Sequence, residues 1–244
     1  MSEKIRLYVD SPLGEGQSVL LSRDHAHYLF GVMRQQVGAF VSLFNGRDGE
    51  WQAEVIEAGK RKGILVCTKQ TAPLGMPPDV WMLFAPIKKA RTDFIVEKAV
   101  EMGAHRIIPV ITDYTNSDRV RQDRLQAHAR EAAEQCGATY VPEVLASERL
   151  DRLLAGWDPE RHILFADESR AGERGNLSDA PSGSWAILIG PEGGFSPPER
   201  EALLKLPQVV PIALGPRILR ADTAAVAAMT IWQQALGDWD TGTK

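Results

Sequence analysis

Two rhythms of apolar and polar positions divide the chain. Up to about residue 70, the apolar residues fall in short β-rich runs at 5–9, 18–20, 40–44, 51–56 and 64–67, separated by turn residues. Asn45-Gly46 and Asp48-Gly49 supply the positive-φ positions that tight turns need. One segment departs from this pattern. Ser22 can cap a helix whose apolar face is drawn by His25, Tyr28, Leu29, Val32 and Met33 at spacings of three and four. Five strands and a helix in so short a stretch fit a small β-barrel over residues 1–72. The Pro/Gly-rich connector 71–78 follows, and a second domain is expected over 73–244.

Beyond the connector the period changes. A near-continuous apolar run at 80–85 precedes a helix over 92–102 that stops at Gly103. A strand at 106–111 and a helix over 125–136, ended by Gly137, come next. Strands at 162–166, 185–189 and 209–214 follow, with a helix opening at Pro197 and a last helix over 222–236. Strands apolar throughout are buried on both faces, so this half reads as α/β with a parallel sheet between helices. Trp81, Phe84, Phe94 and Trp232 fall at core positions, and Cys136 reads as a small packed residue at a helix end.

Composition narrows the class. Hydrophobic residues at 44% and charged residues at 25% exclude wholesale disorder. No apolar run approaches the roughly 20 residues that cross a bilayer, and the first residues form no secretory signal, so a cytoplasmic protein is expected, with no membrane partner. Two cysteines and five histidines lack ligand spacing, and no metal is expected. A net charge of −4 speaks against broad nucleic-acid affinity. Three basic groups, Arg23/Arg34, Lys88-Lys89-Ala90-Arg91 and Arg119/Arg121/Arg124, matter more than the sum, because phosphate attraction is screened beyond about 10 Å.

Two strand-to-helix loops carry the chemistry. In Leu188-Ile-Gly-Pro-Glu-Gly-Gly-Phe-Ser-Pro-Pro-Glu199, Ser196 and Glu199 form a capping box, a structural feature. The glycines before it let main chain approach a ligand at the C-terminal edge of the sheet. The turn is neither a P-loop nor GxGxxG and lacks basic side chains, so backbone groups and apolar walls suit it better than a triphosphate does. In Leu214-Gly-Pro-Arg-Ile-Leu-Arg-Ala-Asp-Thr-Ala224, on the same edge, Arg217 and Arg220 either pair at the surface or aim at an anionic or carbonyl-rich substrate. Asp222 and Thr223 read first as caps of the following helix.

These two loops, with Lys88-Lys-Ala-Arg-Thr-Asp-Phe-Ile-Val-Glu-Lys-Ala-Val-Glu-Met-Gly103 and Glu131-Ala-Ala-Glu-Gln-Cys-Gly137, resemble the bacterial small-subunit ribosomal RNA uridine-N3 methyltransferases of the SPOUT superfamily. In the first domain, Arg6-Leu-Tyr8, His27 and Val32-Met-Arg34 match the same family. The resemblance implies a trefoil-knotted methyltransferase domain after a PUA-like RNA-binding barrel, and a homodimer. It implies S-adenosyl-L-methionine held by Leu164, Ala166, Glu168, Ile189, Gly190, Pro191, Glu192, Gly193, Gly194, Leu214, Gly215, Ile218, Leu219 and Thr223. The 16S rRNA of the small ribosomal subunit would be met by Arg6, Tyr8, Arg23, His27, Arg34, Lys88, Lys89 and Arg91.

For methyl transfer to uridine N3, Arg217 or Arg220 would stabilise charge on the deprotonated base. Glu131, Glu192 or Asp222 would accept its proton. A ribose 2′-O methyltransferase of the same superfamily and a non-catalytic RNA-binding or assembly factor are the alternatives. Asp222 stands where the family favours Glu, Ala138 where Arg is common, and Tyr8 where Phe is usual.

Overall fold

The computed structural model describes residues 5–116, 120–170, 177 and 180–239. Arg119, one of the basic residues named above, lies outside them. The chain divides into two compact units, residues 1–76 with 133–141 and residues 77–132 with 142–244.

In the first unit, β1 (Arg6–Tyr8), β2 (Ser18–Leu20), β3 (Phe40–Phe44), β4 (Glu50–Gly59) and β5 (Lys62–Ala72) form one sheet in the order β1-β3-β4-β5-β2. β1 runs parallel to β3 and the other pairs are antiparallel. β4 and β5 run past the expected 51–56 and 64–67, with register shifts that let twisted strands go on pairing. Their ends carry Glu57, Lys62, Lys69 and Gln70, so no apolar alternation marks them. Ser22 caps a helical turn, α1 (Arg23–Ala26), its Oγ accepting from the His25 amide at 3.1 Å. The chain then widens into a π turn, His27–Val32. That winding keeps Leu29 in the core with Leu7, Val19, Leu43, Val55 and Leu65, and leaves Tyr28 and Val32 outside.

In the second unit, β6 (Val80–Phe84), β7 (Arg106–Ile111), β8 (Glu143–Val144), β10 (His162–Ala166), β11 (Trp185–Ile189) and β12 (Val209–Ile212) line up as β12-β10-β11-β6-β7-β8, and β9 (Glu148–Arg149) also pairs with β7. Every pairing is parallel, as the continuous apolar runs required. The helices are α2 (Lys89–Glu101), α3 (Gln122–Cys136), α4 (Leu150–Ala155), α5 (Pro197–Leu204) and α6 (Ala221–Leu236). β8, β9 and α4 were not foreseen, since elements of two to six residues draw no period.

Phe84 and Trp232 are fully buried, as expected. Phe94 is not a core residue. It is 38% exposed, because α2 buries the face carrying Thr92, Ile95, Val96 and Ala99 and turns Phe94 out, where the Lys98 ammonium lies 5.4 Å from its ring. Trp81 is half-buried beneath the guanidinium groups of Arg161 at 3.8 Å and Arg106 at 4.8 Å. Cys136 is exposed rather than packed, and Cys67 is the buried thiol. Among the described residues no helix is long and apolar enough to cross a membrane.

Candidate active site

β12, β10 and β11 are neighbours, so the loops leaving their C-terminal ends rise side by side. They form a cleft lined by Ala166, Asp167, Glu168, Ile189, Gly190, Pro191, Glu192, Gly194, Ile212, Leu214, Gly215, Arg217, Ile218 and Leu219, with Ala221 and Ala224 from the start of α6. Ligand clefts of open α/β sheets lie at this edge. Three residues expected here are elsewhere. Leu164 is enclosed within β10, Gly193 faces outward, and Thr223 is exposed on the first turn of α6. Asp167 lines the cleft from within the stretch 164–168 that the resemblance implies, and Ile212, Ala221 and Ala224 join the lining beyond the residues the resemblance implies. The alanines at α6 positions three apart were the legible hint, because small residues on one helix face let the helix close against a ligand or a sheet.

The glycine loop has distinct local causes. The capping box forms as expected: Ser196 Oγ accepts from the Glu199 amide at 3.4 Å and Glu199 Oε2 accepts from the Ser196 amide at 2.9 Å. At Gly190 a Cβ would stand 2.6 Å from the ring of buried Phe195, which packs edge-on against Phe165 at 5.1 Å. Gly194 has φ +68° and sits against the Glu168 carboxylate. Gly193 meets only Tyr114, at an ordinary 3.5 Å. Gly190→Ala is therefore expected to cost about 1–3 kcal/mol through overpacking and to weaken ligand uptake. Gly193→Ala should leave both unchanged in a thermal melt and a calorimetric titration.

Asp167, Glu168, Glu192 and Arg217 are the charged residues of the lining, and two of the carboxylates are paired, Asp167 with Arg200 and Glu192 with Arg91. Asp167 is enclosed, its side chain 1% exposed, and burial alone would raise its pKa. Hydrogen bonds from Arg200 (Nη2 at 2.8 Å) and from Ser169 outweigh that and hold it below the ordinary carboxylate value. A depressed carboxylate stabilises the fold above its unfolded-state pKa and loses that contribution as pH falls through the folded-state value. Asp167→Asn is accordingly expected to cost about 2 kcal/mol at pH 7. The gap to the unsubstituted protein should close as pH is lowered through the acid range, checked by urea unfolding at several pH values.

The other expected site residues divide clearly. Arg91 is the surprise: instead of joining Lys88 and Lys89 in a solvated patch, it lies 3.5 Å from Glu192 Oε1 and 3.6 Å from Asp222 Oδ2, at the cleft. Lys88 and Lys89 are exposed. Arg220 is exposed at the N-cap of α6 and outside the cleft lining, and Asp222 Oδ1 accepts from the Thr223 amide at 2.9 Å within the first turn. Glu131 is not brought to the cleft. It stands on α3, 70% exposed, 3.5 Å from His128 Nδ1. Arg124 pairs with Asp93 and Arg121 with Asp123.

In the first unit Arg23, His27 and Arg34 are exposed. Arg6 is turned inward, its side chain 11% exposed. Its Nε donates to Glu50 Oε2 at 2.6 Å, and its remaining nitrogens donate to the carbonyls of Ala133, Glu134 and Ala138 at 2.6–2.9 Å. Tyr8 lies edge-on to Phe44, with ring centroids 5.7 Å apart, rather than free for a base.

A parallel sheet whose three adjacent loops form a main-chain-lined cleft, carried with a small β unit, defines a class that comparison makes specific. A family model described as an RNA methyltransferase domain matches residues 75–233, and one described as an RNA methyltransferase PUA domain matches residues 21–66. Ribosomal RNA small subunit methyltransferase E of Rickettsia conorii is 31% identical over 228 residues, covering 92% of this chain and 93% of its own. The protein of the same name in Bacillus subtilis is 27% identical, covering 88% and 90%. The crystal structure of ribosomal RNA small subunit methyltransferase E from Neisseria gonorrhoeae, bound to S-adenosyl methionine, superposes with a TM-score of 0.87 at 28% identity over 97% of this chain and 100% of that one. The chain belongs to the ribosomal RNA small subunit methyltransferase E family, and its fold is a SPOUT methyltransferase domain preceded by a PUA-like β domain.

Proposed function

We propose that this chain transfers a methyl group from S-adenosyl-L-methionine to N3 of a uridine in the 16S rRNA of the small ribosomal subunit. In this reading it works in the cytoplasm as a homodimer, with residues 1–72 binding RNA and residues 73–244 carrying the chemistry. The observation that supports it most is the make-up of the cleft. Main chain and small apolar side chains line it, and two of its carboxylates, Asp167 and Glu192, are already paired with Arg200 and Arg91, which suits a cofactor of small net charge better than a triphosphate. When bound, that cofactor supplies an electrophilic methyl group.

The chain's own residues do the rest. Uridine N3 is a weak nucleophile until its proton leaves, and the negative charge then spreads over N3 and the flanking carbonyls. Arg217, on the cleft wall, offers guanidinium donors to that charge. Glu192, on the same wall, accepts the proton directly or through water. Arg91 holds Glu192 and Asp222 as a positioning residue. Arg23, His27 and Arg34 on the first unit supply salt-dependent contacts to phosphate.

Calorimetry with S-adenosyl-L-methionine, followed by incubation with unmethylated small subunits and mass mapping of the nucleosides, tests the reading. N3-methyluridine is the expected product. A 2′-O-methylated ribose would transfer the protein to the other chemistry of its superfamily, and absence of donor uptake would make it a binding factor.

A further inference from the structure

The loop that follows β7 is fixed at both sides of a single exposed ring. Thr112 and Thr115 close a turn on each other: the Thr112 amide donates to Thr115 Oγ1 at 2.9 Å, the two hydroxyls lie 2.9 Å apart, and the Thr115 amide donates to the Thr112 carbonyl at 3.1 Å. Asp113 is tied to the capping box of α5, its amide donating to Glu199 Oε1 at 2.8 Å and its Oδ2 accepting from Ser196 Oγ at 2.5 Å. Between them stands Tyr114, 45% exposed. Its Cβ and ring atoms come within ordinary contact of the space beside Gly193, and the residues on either side of that glycine, Glu192 and Gly194, line the cleft.

Neither the sheet core nor the capping network uses this ring. Its neighbours are tied on both sides, and the ring stands beside the glycine loop that lines the cleft, 45% exposed. A preordered aromatic offers stacking area without the entropy cost of ordering a mobile side chain. RNA-binding proteins read unpaired bases by stacking them on such rings, and a base to be modified must first leave its own stack.

We infer that Tyr114 is a base-stacking residue that receives an unpaired nucleotide of the RNA substrate at the mouth of the donor cleft. This rests on the proposed function, because a ring at the rim of a cleft that took no donor would have no base to present. Thr112, Asp113 and Thr115, the polar neighbours of the ring, are committed to one another and to α5, so recognition by Tyr114 is through the face of the base and tolerates different bases.

The test uses the full chain with Tyr114→Phe, Tyr114→Leu and Tyr114→Ala. Three quantities are read: the Kd for unmethylated small ribosomal subunits without methyl donor, the KM for those subunits, and the calorimetric Kd for S-adenosyl-L-methionine. Tyr114→Ala and Tyr114→Leu are expected to raise the subunit Kd and KM by about tenfold, within the roughly 5- to 150-fold that losing one stacked base produces. Tyr114→Phe should stay within about twofold of the unsubstituted protein, and donor affinity should not move in any variant. Unchanged subunit binding in Tyr114→Ala would overturn the inference. So would a Leu variant that binds like the unsubstituted protein, or a Phe variant as weak as Ala. Loss of donor affinity in parallel would reduce Tyr114 to a support for the glycine loop. Failure of the unsubstituted protein to take up donor would instead sink the proposed function, and is read in a separate titration.

Discussion

Arg217→Ala is expected to lower kcat by about 10²–10³-fold, the cost of removing a preplaced donor from a site where charge develops. Arg217 lines the cleft and is exposed, and among the described residues no ion pair or hydrogen bond is formed by its guanidinium. Donor affinity separates this role from a binding role. A cofactor bearing a sulfonium and an ammonium gains little from a nearby guanidinium of the same sign, so its calorimetric Kd should stay the same or tighten slightly. If Arg217 acts only as the base becomes charged, kcat and kcat/KM should fall together. Arg217→Lys should recover part of the loss, since it keeps the charge and gives up the planar fork. Arg220→Ala should do less, because that side chain leaves from the N-cap of α6, outside the cleft lining. A larger loss at Arg220 than at Arg217 would exchange the two roles.

The larger features of the fold were legible because they are written locally. Apolar strands without alternation require a sheet covered on both faces, and the connector at 71–78 falls where one period gives way to another. Parallel connectivity then puts the loops after 189 and after 212 on one edge, which sufficed to bring Gly190, Glu192 and Arg217 together. What escaped depends on partners far along the chain. Asp167 is one acid after an apolar strand until Arg200, from a different helix, locks it at the cleft. Lys88, Lys89 and Arg91 read as one basic patch, yet the first turn of α2 sends Arg91 toward Glu192 and leaves the lysines in solvent. Glu131 belongs to one of the motifs on which the family resemblance rests, but a motif does not say which face of α3 its carboxylate takes, and here it lies 3.5 Å from His128 Nδ1 and is 70% exposed.

Arg6 is the sharpest case of this kind, and its replacement carries the largest expected loss of stability. Its guanidinium satisfies Glu50, whose side chain is 8% exposed, and three carbonyls, those of Ala133 and Glu134 in the last turn of α3 and of Ala138 just beyond it. Helix C-termini leave carbonyls without partners, and a cation there both donates to them and meets the negative end of the helix dipole. The ring of Phe44 lies 4.3 Å beneath the same group. Arg6→Met keeps much of the apolar contact and removes every guanidinium donor, leaving the buried Glu50 carboxylate with the Thr71 hydroxyl at 2.8 Å but without a countercharge from Arg6. That is expected to cost about 3–5 kcal/mol. With a urea slope of about 1–3 kcal/mol per molar, the unfolding midpoint should fall by about 2 M. Trp51 is the one tryptophan in residues 1–76, and its fluorescence follows this unit against the other five. The double variant Arg6→Met/Glu50→Gln should regain a good part of the loss, because no buried charge then stands alone. If Arg6→Met instead keeps its midpoint and loses affinity for small subunits, Arg6 meets RNA rather than closing the C-terminus of α3.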